Sequence, residues 1–164
     1  MAKKEQKKIT IRRAAAEDID SVLSMWVKLM GMHRLFGDTY TCRKDAAKVM
    51  KKHLKTLPKK RNTLLLVAEV DRKLCGYAIA EISRRPPIYK ERKELIISDI
   101  FIKKSMREQG VGKKLMEAVL DWTSKKGIKL ISLQVDAKNK DAIKFYSECG
   151  FTTYRHVMTW RCWR

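Results

Sequence analysis

Apolar residues recur along this chain with two periods. At Ile19, Val22, Leu23, Trp26, Leu29 and Met30 they fall at i, i+3, i+4 and i+7, the stripe of an amphipathic helix. Ala46, Met50, Leu54 and Leu57 repeat the pattern, and Pro58 stops it. Val111, Leu115, Ala118, Val119 and Trp122 form a third stripe, ended by Gly127. A short fourth helix is expected from its cap, Asn139, through Tyr146, with Gly150 closing it. Where the period falls to two, or an apolar run is unbroken, strands are predicted: 9–13, 63–70, 74–82, 94–102, 128–136 and 151–163. Residues 71–73 join the second strand to the third as a hairpin loop, and 94–102 is apolar enough to be central. The order β-α-α-β-β-β-α-β-α-β predicts one α/β domain over 9–164 with a mixed sheet. Residues 1–8 read as a flexible basic tail.

Composition narrows this picture. A chain of 164 residues fits one domain, and 45% hydrophobic residues supply a core and argue against disorder. No apolar run reaches the roughly 18 to 20 residues of a membrane span, and residues 1–8 lack the apolar segment of a secretory signal. A cytoplasmic location without membrane contact is therefore expected. Cys42, Cys75, Cys149 and Cys162 stand singly with no histidine at ligand spacing, so reduced thiols are expected and no metal site. The net charge of +20 implies affinity for anions. Residues 43–61 hold nine Lys or Arg against one acid, Asp45. That stretch reads either as a docking face for nucleic acid or a ribosome, or as a solvated lysine-rich helix surface. No aromatic or glycine interleaving marks a nucleic-acid module.

The densest chemistry lies at Arg107-Glu108-Gln109-Gly110-Val111-Gly112, between the central strand and the third helix. Glycines there let the backbone curl and aim successive N–H groups into the helix N-terminus, a site for phosphate or pyrophosphate. Lys113 and Lys114 add charge at its rim. The stretch is neither a P-loop nor a dinucleotide fingerprint, since Gly-Lys-Ser/Thr and Gly-x-Gly-x-x-Gly are both absent. A second element, Asn139-x-x-Ala142-x-x-Phe145-Tyr146-x-x-x-Gly150-Phe151, begins 27 residues after Gly112. Asn139, Ala142 and Tyr146 share one helix face. Together the two elements, at this spacing and in this order, resemble the GNAT superfamily of acetyl-CoA-dependent N-acetyltransferases.

The resemblance implies a GNAT fold: a mixed, mostly antiparallel sheet flanked by about four helices, with splayed parallel central strands. It implies acetyl-CoA as acetyl donor, its pyrophosphate held by Arg107, Glu108, Gln109, Gly110, Val111, Gly112 and Lys113. The backbone of Ile100, Phe101 and Ile102 would pair with pantetheine where the strand leaves its neighbour at 130–135. Asn139, with Ala142 and Phe145 on the same helix, would line the pantetheine arm. Tyr146 would protonate the leaving thiolate. A phenol suits that task, since its pKa of about 10 keeps the proton available at neutral pH. An N–H near Ile100 would serve as oxyanion donor.

Many GNAT relatives carry a glutamate as base, and the matching positions here are Ile96, Ser98 and Gln134. Strand alternation puts Asp99 on the face opposite Ser98 and Glu94 near the strand start, so no base is assigned. The acceptor, a protein N-terminus, a lysine or a small amine, would be bound by the loop carrying Met30, Met32, His33, Phe36, Asp38 and Tyr40. Residues 86–89 form a second candidate wall. Trp160, Cys162 and Trp163 on the last predicted strand suggest a homodimer contact, a covering by the acceptor loop, or ordinary packing on the domain core. Two other functions remain open: a non-catalytic acyl-CoA sensor, and a basic RNA- or ribosome-associated protein.

Overall fold

The structure, a computed structural model, describes residues 8–160 and Cys162. Residues 1–7 of the expected tail, Arg161 and Trp163 of the expected last strand, and Arg164 after it lie outside the described residues. The chain divides into two compact units, 1–134 and 135–164.

The first unit is built on a five-stranded sheet in the order β1-β2-β3-β4-β5. Its strands are β1 (Ile9–Arg13), β2 (Thr63–Val70), β3 (Lys73–Arg84), β4 (Lys93–Ile102) and β5 (Ile131–Leu133). The first four pair antiparallel, and β4 pairs parallel with β5. Helices α1 (Ile19–His33), α2 (Ala46–Thr56) and α3 (Val111–Lys125) follow the predicted stripes, and Pro58 carries the end of α2 into a 3-10 turn.

The sheet is buried on both faces. On one, Val22, Met25 and Leu29 of α1 and Leu54 of α2 pack with Leu65, Val67, Tyr77, Ile79 and Phe101. On the other, Leu115 of α3 reaches the strand at Gly76, and the buried pairs Leu64–Ala80 and Leu66–Ala78 line the same side. The small residues of β3 let α3 sit close. At Gly76 an added Cβ would lie 2.8 Å from both the Phe101 carbonyl and Ile102 Cδ1.

Two strand expectations need correction. The predicted strand 128–136 shrinks to Ile131–Leu133, because β4 and β5 stop pairing at Ile97 and Leu133. The predicted last strand is absent over Phe151–Trp160. Its apolar residues Phe151, Tyr154, Val157, Met158 and Trp160 do not alternate, so they cannot load one face of a sheet. Of the residues behind the dimer expectation, Trp160, 87% exposed, and Cys162, also exposed, are described.

The second unit holds α4 (Lys140–Glu148). Asn139 caps it, its side-chain oxygen accepting the Ala142 N–H at 3.2 Å. At the other end Gly150 takes φ 92°, and the Phe151 N–H returns to the Tyr146 carbonyl at 3.0 Å.

Candidate active site

β4 is bonded differently along its two edges. Toward β3 it pairs from Lys93 to Ile102; toward β5 only Leu95, Ile96 and Ile97 have partners. Beyond Ile97 the β5 edge of the strand is open, and Ile100, Phe101 and Ile102 lie in that stretch. A strand edge without a neighbour offers its N–H and C=O groups to an extended ligand.

The open edge leads directly into the Gly-rich turn. Glu108 and Gly110 both take left-handed backbone conformations, with φ 60° and 81°. Gly110 caps α3 without a side-chain bond, and the first bond of the helix runs from the Lys114 N–H to the Gly110 carbonyl. The N–H groups of Val111, Gly112 and Lys113 therefore stand at the helix end without intrahelical acceptors, where the helix dipole favours an anion. Glu108, Gln109 and Lys113 are exposed around it. Arg107 braces the turn: its Nε donates to the Ile102 carbonyl at 3.3 Å, and a terminal nitrogen lies 3.5 Å from Met32 Sδ. Gln109 Nε2 donates to the Ser105 carbonyl at 2.9 Å.

A bulge in β4 changes which side chains face α1 and α2. Ile79 pairs with Asp99 but the next residue, Ala80, pairs with Ile97, so Ser98 is the extra residue. Leu95 and Ile97, opposite Ile82 and Ala80, lie on the α3 side. After the bulge, Asp99 and Phe101 lie opposite Ile79 and Tyr77, on the α1–α2 side. Simple alternation had set Asp99 against Ser98, Ile96 and Glu94; the bulge instead brings it onto the face of Ile96 and Glu94. There the Tyr77 hydroxyl donates to Asp99 Oδ2 at 3.4 Å. Burial pushes the Asp99 carboxyl up to about 6, with the Tyr77 hydroxyl pulling in the opposite sense. Tyr77, fully buried beside that carboxylate, is pushed well above the usual phenol range by burial first and the Asp99 charge second.

Asp99 and Tyr77 are thus the pair that sequence reasoning missed. The available signal was Ser98-Asp99 itself, two polar residues in succession inside an apolar strand.

The loop after α1 carries an aromatic group, with the His33 ring 5.1 Å from Tyr40 and 6.3 Å from Phe36. In the segment 85–92, Arg85 lies over the Tyr89 ring at 4.2 Å and pairs with Glu94 at 3.7 Å.

In the second unit, capping uses the Asn139 oxygen and leaves its Nδ2 group as a donor. Phe145 and Tyr146 are half-buried on α4, with ring centroids 5.3 Å apart, and Tyr146 meets Phe151 edge-on at 5.9 Å. Among the described residues no cluster of His, Cys, Asp and Glu is suited to a metal ion, and no helix is long and apolar enough to cross a membrane.

This geometry has relatives. A model of the acetyltransferase (GNAT) family matches residues 29–151. An uncharacterized N-acetyltransferase of Methanocaldococcus jannaschii is 29% identical over 154 residues, covering 94% of this chain and 65% of that protein. One from Archaeoglobus fulgidus is 28% identical over 137 residues, covering 84% of this chain and 88% of its own length. Among solved structures, a tetramutant of the BH1408 protein of Bacillus halodurans superposes with TM-score 0.83 at 22% identity, covering 93% of this chain and 99% of that one. The aminoglycoside N-acetyltransferase AAC(6')-Iy in complex with CoA superposes with TM-score 0.80 at 17% identity, covering 98% of this chain and 99% of that one. The family match takes in both the open strand edge and the Gly-capped turn, and with it the chain belongs to the GNAT family of acetyltransferases.

Proposed function

We propose that this protein moves the acetyl group of acetyl-CoA to a primary amine, by direct attack of the amine on the thioester in a ternary complex. The observation that carries this reading is the open C-terminal half of β4 running straight into the Gly110-capped turn. The N–H groups of Val111, Gly112 and Lys113 would take the pyrophosphate. The open edge of the backbone at 100–102, where the Ile102 carbonyl accepts from Arg107 Nε, would take the pantetheine amides as an added strand. An N–H near Ile100 would face the developing oxyanion. From the second unit, the Asn139 amide and the Ala142 and Phe145 face of α4 would serve the pantetheine arm, and Tyr146 would return a proton to the thiolate.

The missing base has a candidate in Asp99. It precedes Ile100 and faces the α1–α2 side, and with its pKa raised to about 6 it is ionised at neutral pH yet basic enough to accept a proton from an ammonium group. In this scheme the ammonium loses one proton to Asp99, the neutral amine forms the C–N bond as the C–S bond breaks, Tyr146 gives its proton to the sulfur, and the resulting tyrosinate takes up the second proton from the new amide nitrogen. Asp99 removes the motive for a non-catalytic sensor, which rested on there being no base.

The test uses acetyl-CoA labelled in its acetyl group, added with wild-type protein or Tyr146→Phe to an extract of the source cells. Label should appear on an amine with wild type, and Tyr146→Phe should transfer roughly ten- to a thousandfold more slowly. Tight acetyl-CoA binding with no enzyme-dependent label would return the sensor reading.

A further inference from the structure

The start of β4 lies roughly 30 Å along the strand from the Gly110 turn, at about 3.3 Å per residue. A cavity of about 230 Å³ opens at this far end, lined by Asn62, Ile82, Arg84, Lys93, Lys126 and Ile128. Half of these residues are cations and none is an acid. Arg84 and Lys93 are directly opposed across β3 and β4, a pairing of like charges that weakens a ladder. The nearest acid on the strand, Glu94, serves Arg85 instead. Among the described residues no carboxylate pairs with Arg84, Lys93 or Lys126, although Lys126 rests against the Trp122 ring.

A second observation starts from the same cavity. Asn62 follows directly on Lys60 and Arg61, and these on the 3-10 turn Leu57–Lys59 that closes α2. On α2, Lys48, Lys52 and Lys55 are spaced by four and three residues, all exposed, on the side of the helix opposite the buried Leu54, and Lys59 is exposed in the 3-10 turn that follows. The three α2 lysines make a line of charge about 10 Å long, at 1.5 Å per residue, with Lys59 four residues further along the chain. The local acids go to other cations: Asp20 to Lys51 and Asp45 to Arg43. Asp20 also attracts Lys55 through space, but among the described residues no stripe lysine has an ion pair of its own.

We propose that this stripe and the cavity together form a docking track for the phosphate backbone of RNA, at the opposite end of β4 from the acetyl-CoA turn. Three chemical features select that partner. A single free phosphate would fill the cavity but leave the α2 lysines, a line of about 10 Å at 1.5 Å per residue, unused. A membrane surface calls for an apolar helix face turned outward, whereas the apolar face of α2 is spent in the core. A phosphate also offers oxygens in several directions to converging Arg and Lys donors, which a flat carboxylate of an acidic peptide does not.

The experiment is fluorescence anisotropy of a short labelled single-stranded RNA with the full chain, repeated across salt concentrations. With seven cations engaged, log affinity should fall against log salt with a slope of about −5, at roughly −0.7 per phosphate. Lys48→Gln/Lys52→Gln/Lys55→Gln and Arg84→Gln/Lys93→Gln/Lys126→Gln should each flatten that slope by about 2. Each should weaken binding at least about tenfold at low salt. Acetyl-CoA affinity and thermal midpoint should stay as in wild type. No binding at low salt would overturn the proposal. So would wild-type binding by either triple variant, since the stripe and the cavity are offered as one track. Equal competition by polyglutamate would reassign the surface to acidic polypeptides.

Discussion

The two edges of β4 teach more than the strand itself. Along the β3 edge the ladder runs from Lys93 to Ile102, so each change there acts on the stability of the sheet. Along the β5 edge pairing ends at Ile97, and beyond it the strand has no ladder partner. In the proposed reading one strand therefore serves as scaffold on one side and as binding surface on the other. The scaffold edge holds the open edge in an extended shape before any ligand arrives, which lowers the ordering cost of binding. If that division is right, substitutions at the open edge and its turn will change binding and turnover. Substitutions on the closed side will change stability.

Gly110→Val should give the largest effect. Its φ of 81° is a conformation that a β-branched residue strongly disfavours, although nothing lies within 4 Å to obstruct the side chain. The turn would have to change shape to relieve the backbone, withdrawing the N–H groups at the start of α3. Acetyl-CoA affinity measured by calorimetry should fall by roughly a hundredfold or more, the loss of several charge-assisted hydrogen bonds. Unchanged affinity would remove the turn as the pyrophosphate site.

Asp99→Asn sharpens the comparison because it should move activity and stability in opposite directions. Without the carboxylate, kcat/KM should fall by about 10²- to 10⁴-fold, and the rise of the wild-type profile through pH of about 6 should disappear. For stability, the folded pKa lies above the usual carboxylate value. The folded state thus binds the proton more tightly, and that advantage is full below about 4 and lost as pH rises through about 6. At neutral pH wild type holds an ionised carboxylate against burial, and the amide does not. The variant should be more stable there by about 1 to 3 kcal/mol by denaturant titration. A variant that is both fully active and no more stable would show that Asp99 is neither strained nor used.

How much of this was legible in the sequence depends on how local each feature is. The α1, α2 and α3 stripes, the Asn139 cap and the Gly150 stop are set by residues within a few positions of each other, and the helices form where the pattern puts them. The turn at Arg107–Gly112 was legible for the same reason: Gly110 takes the left-handed conformation that its position requires. The face of Asp99 was not. It depends on a register shift against Ile79 and Ala80, residues roughly twenty positions away, and only the polar pair Ser98-Asp99 hints at it. The extent of β5 was hidden likewise, since residues 128–136 carry strand-forming side chains but the ladder ends where β4 diverges. At 151–160 an apolar composition stood in for an alternation that the chain does not have.

Gly76→Ala probes the closed edge. The new methyl would lie 2.8 Å from the Phe101 carbonyl, a backbone atom that cannot rotate away. Pushing β3 from the tip of β4 should cost about 1 to 3 kcal/mol of stability. If the division between edges were complete, acetyl-CoA affinity would hold. Because Phe101 and Ile102 also form the open edge, a modest parallel loss of affinity is expected, and its size measures how far the two edges are mechanically joined.

Arg12→Gln, far from β4 on the outer strand of the sheet, should have the smallest effect and none on acetyl-CoA binding. The Arg12 guanidinium donates to Asp18 at 2.6 and 3.0 Å and to Glu69 at 3.0 Å, and Asp18 also accepts the Ala15 N–H at 2.7 Å. Asp18 is buried, and the bonds from Arg12 hold its carboxyl below the usual carboxylate range. A depressed folded pKa contributes stability above about 4, which is lost as pH falls through the folded value. Arg12 is partly exposed, so solvent screening trims the contribution to about 1 to 2 kcal/mol at neutral pH. Wild type and Arg12→Gln should therefore differ in thermal midpoint at pH 7 and converge in acid. A constant gap at all pH values would mean that Arg12 acts by packing its stem rather than by holding the Asp18 charge, since only the charge can be titrated away.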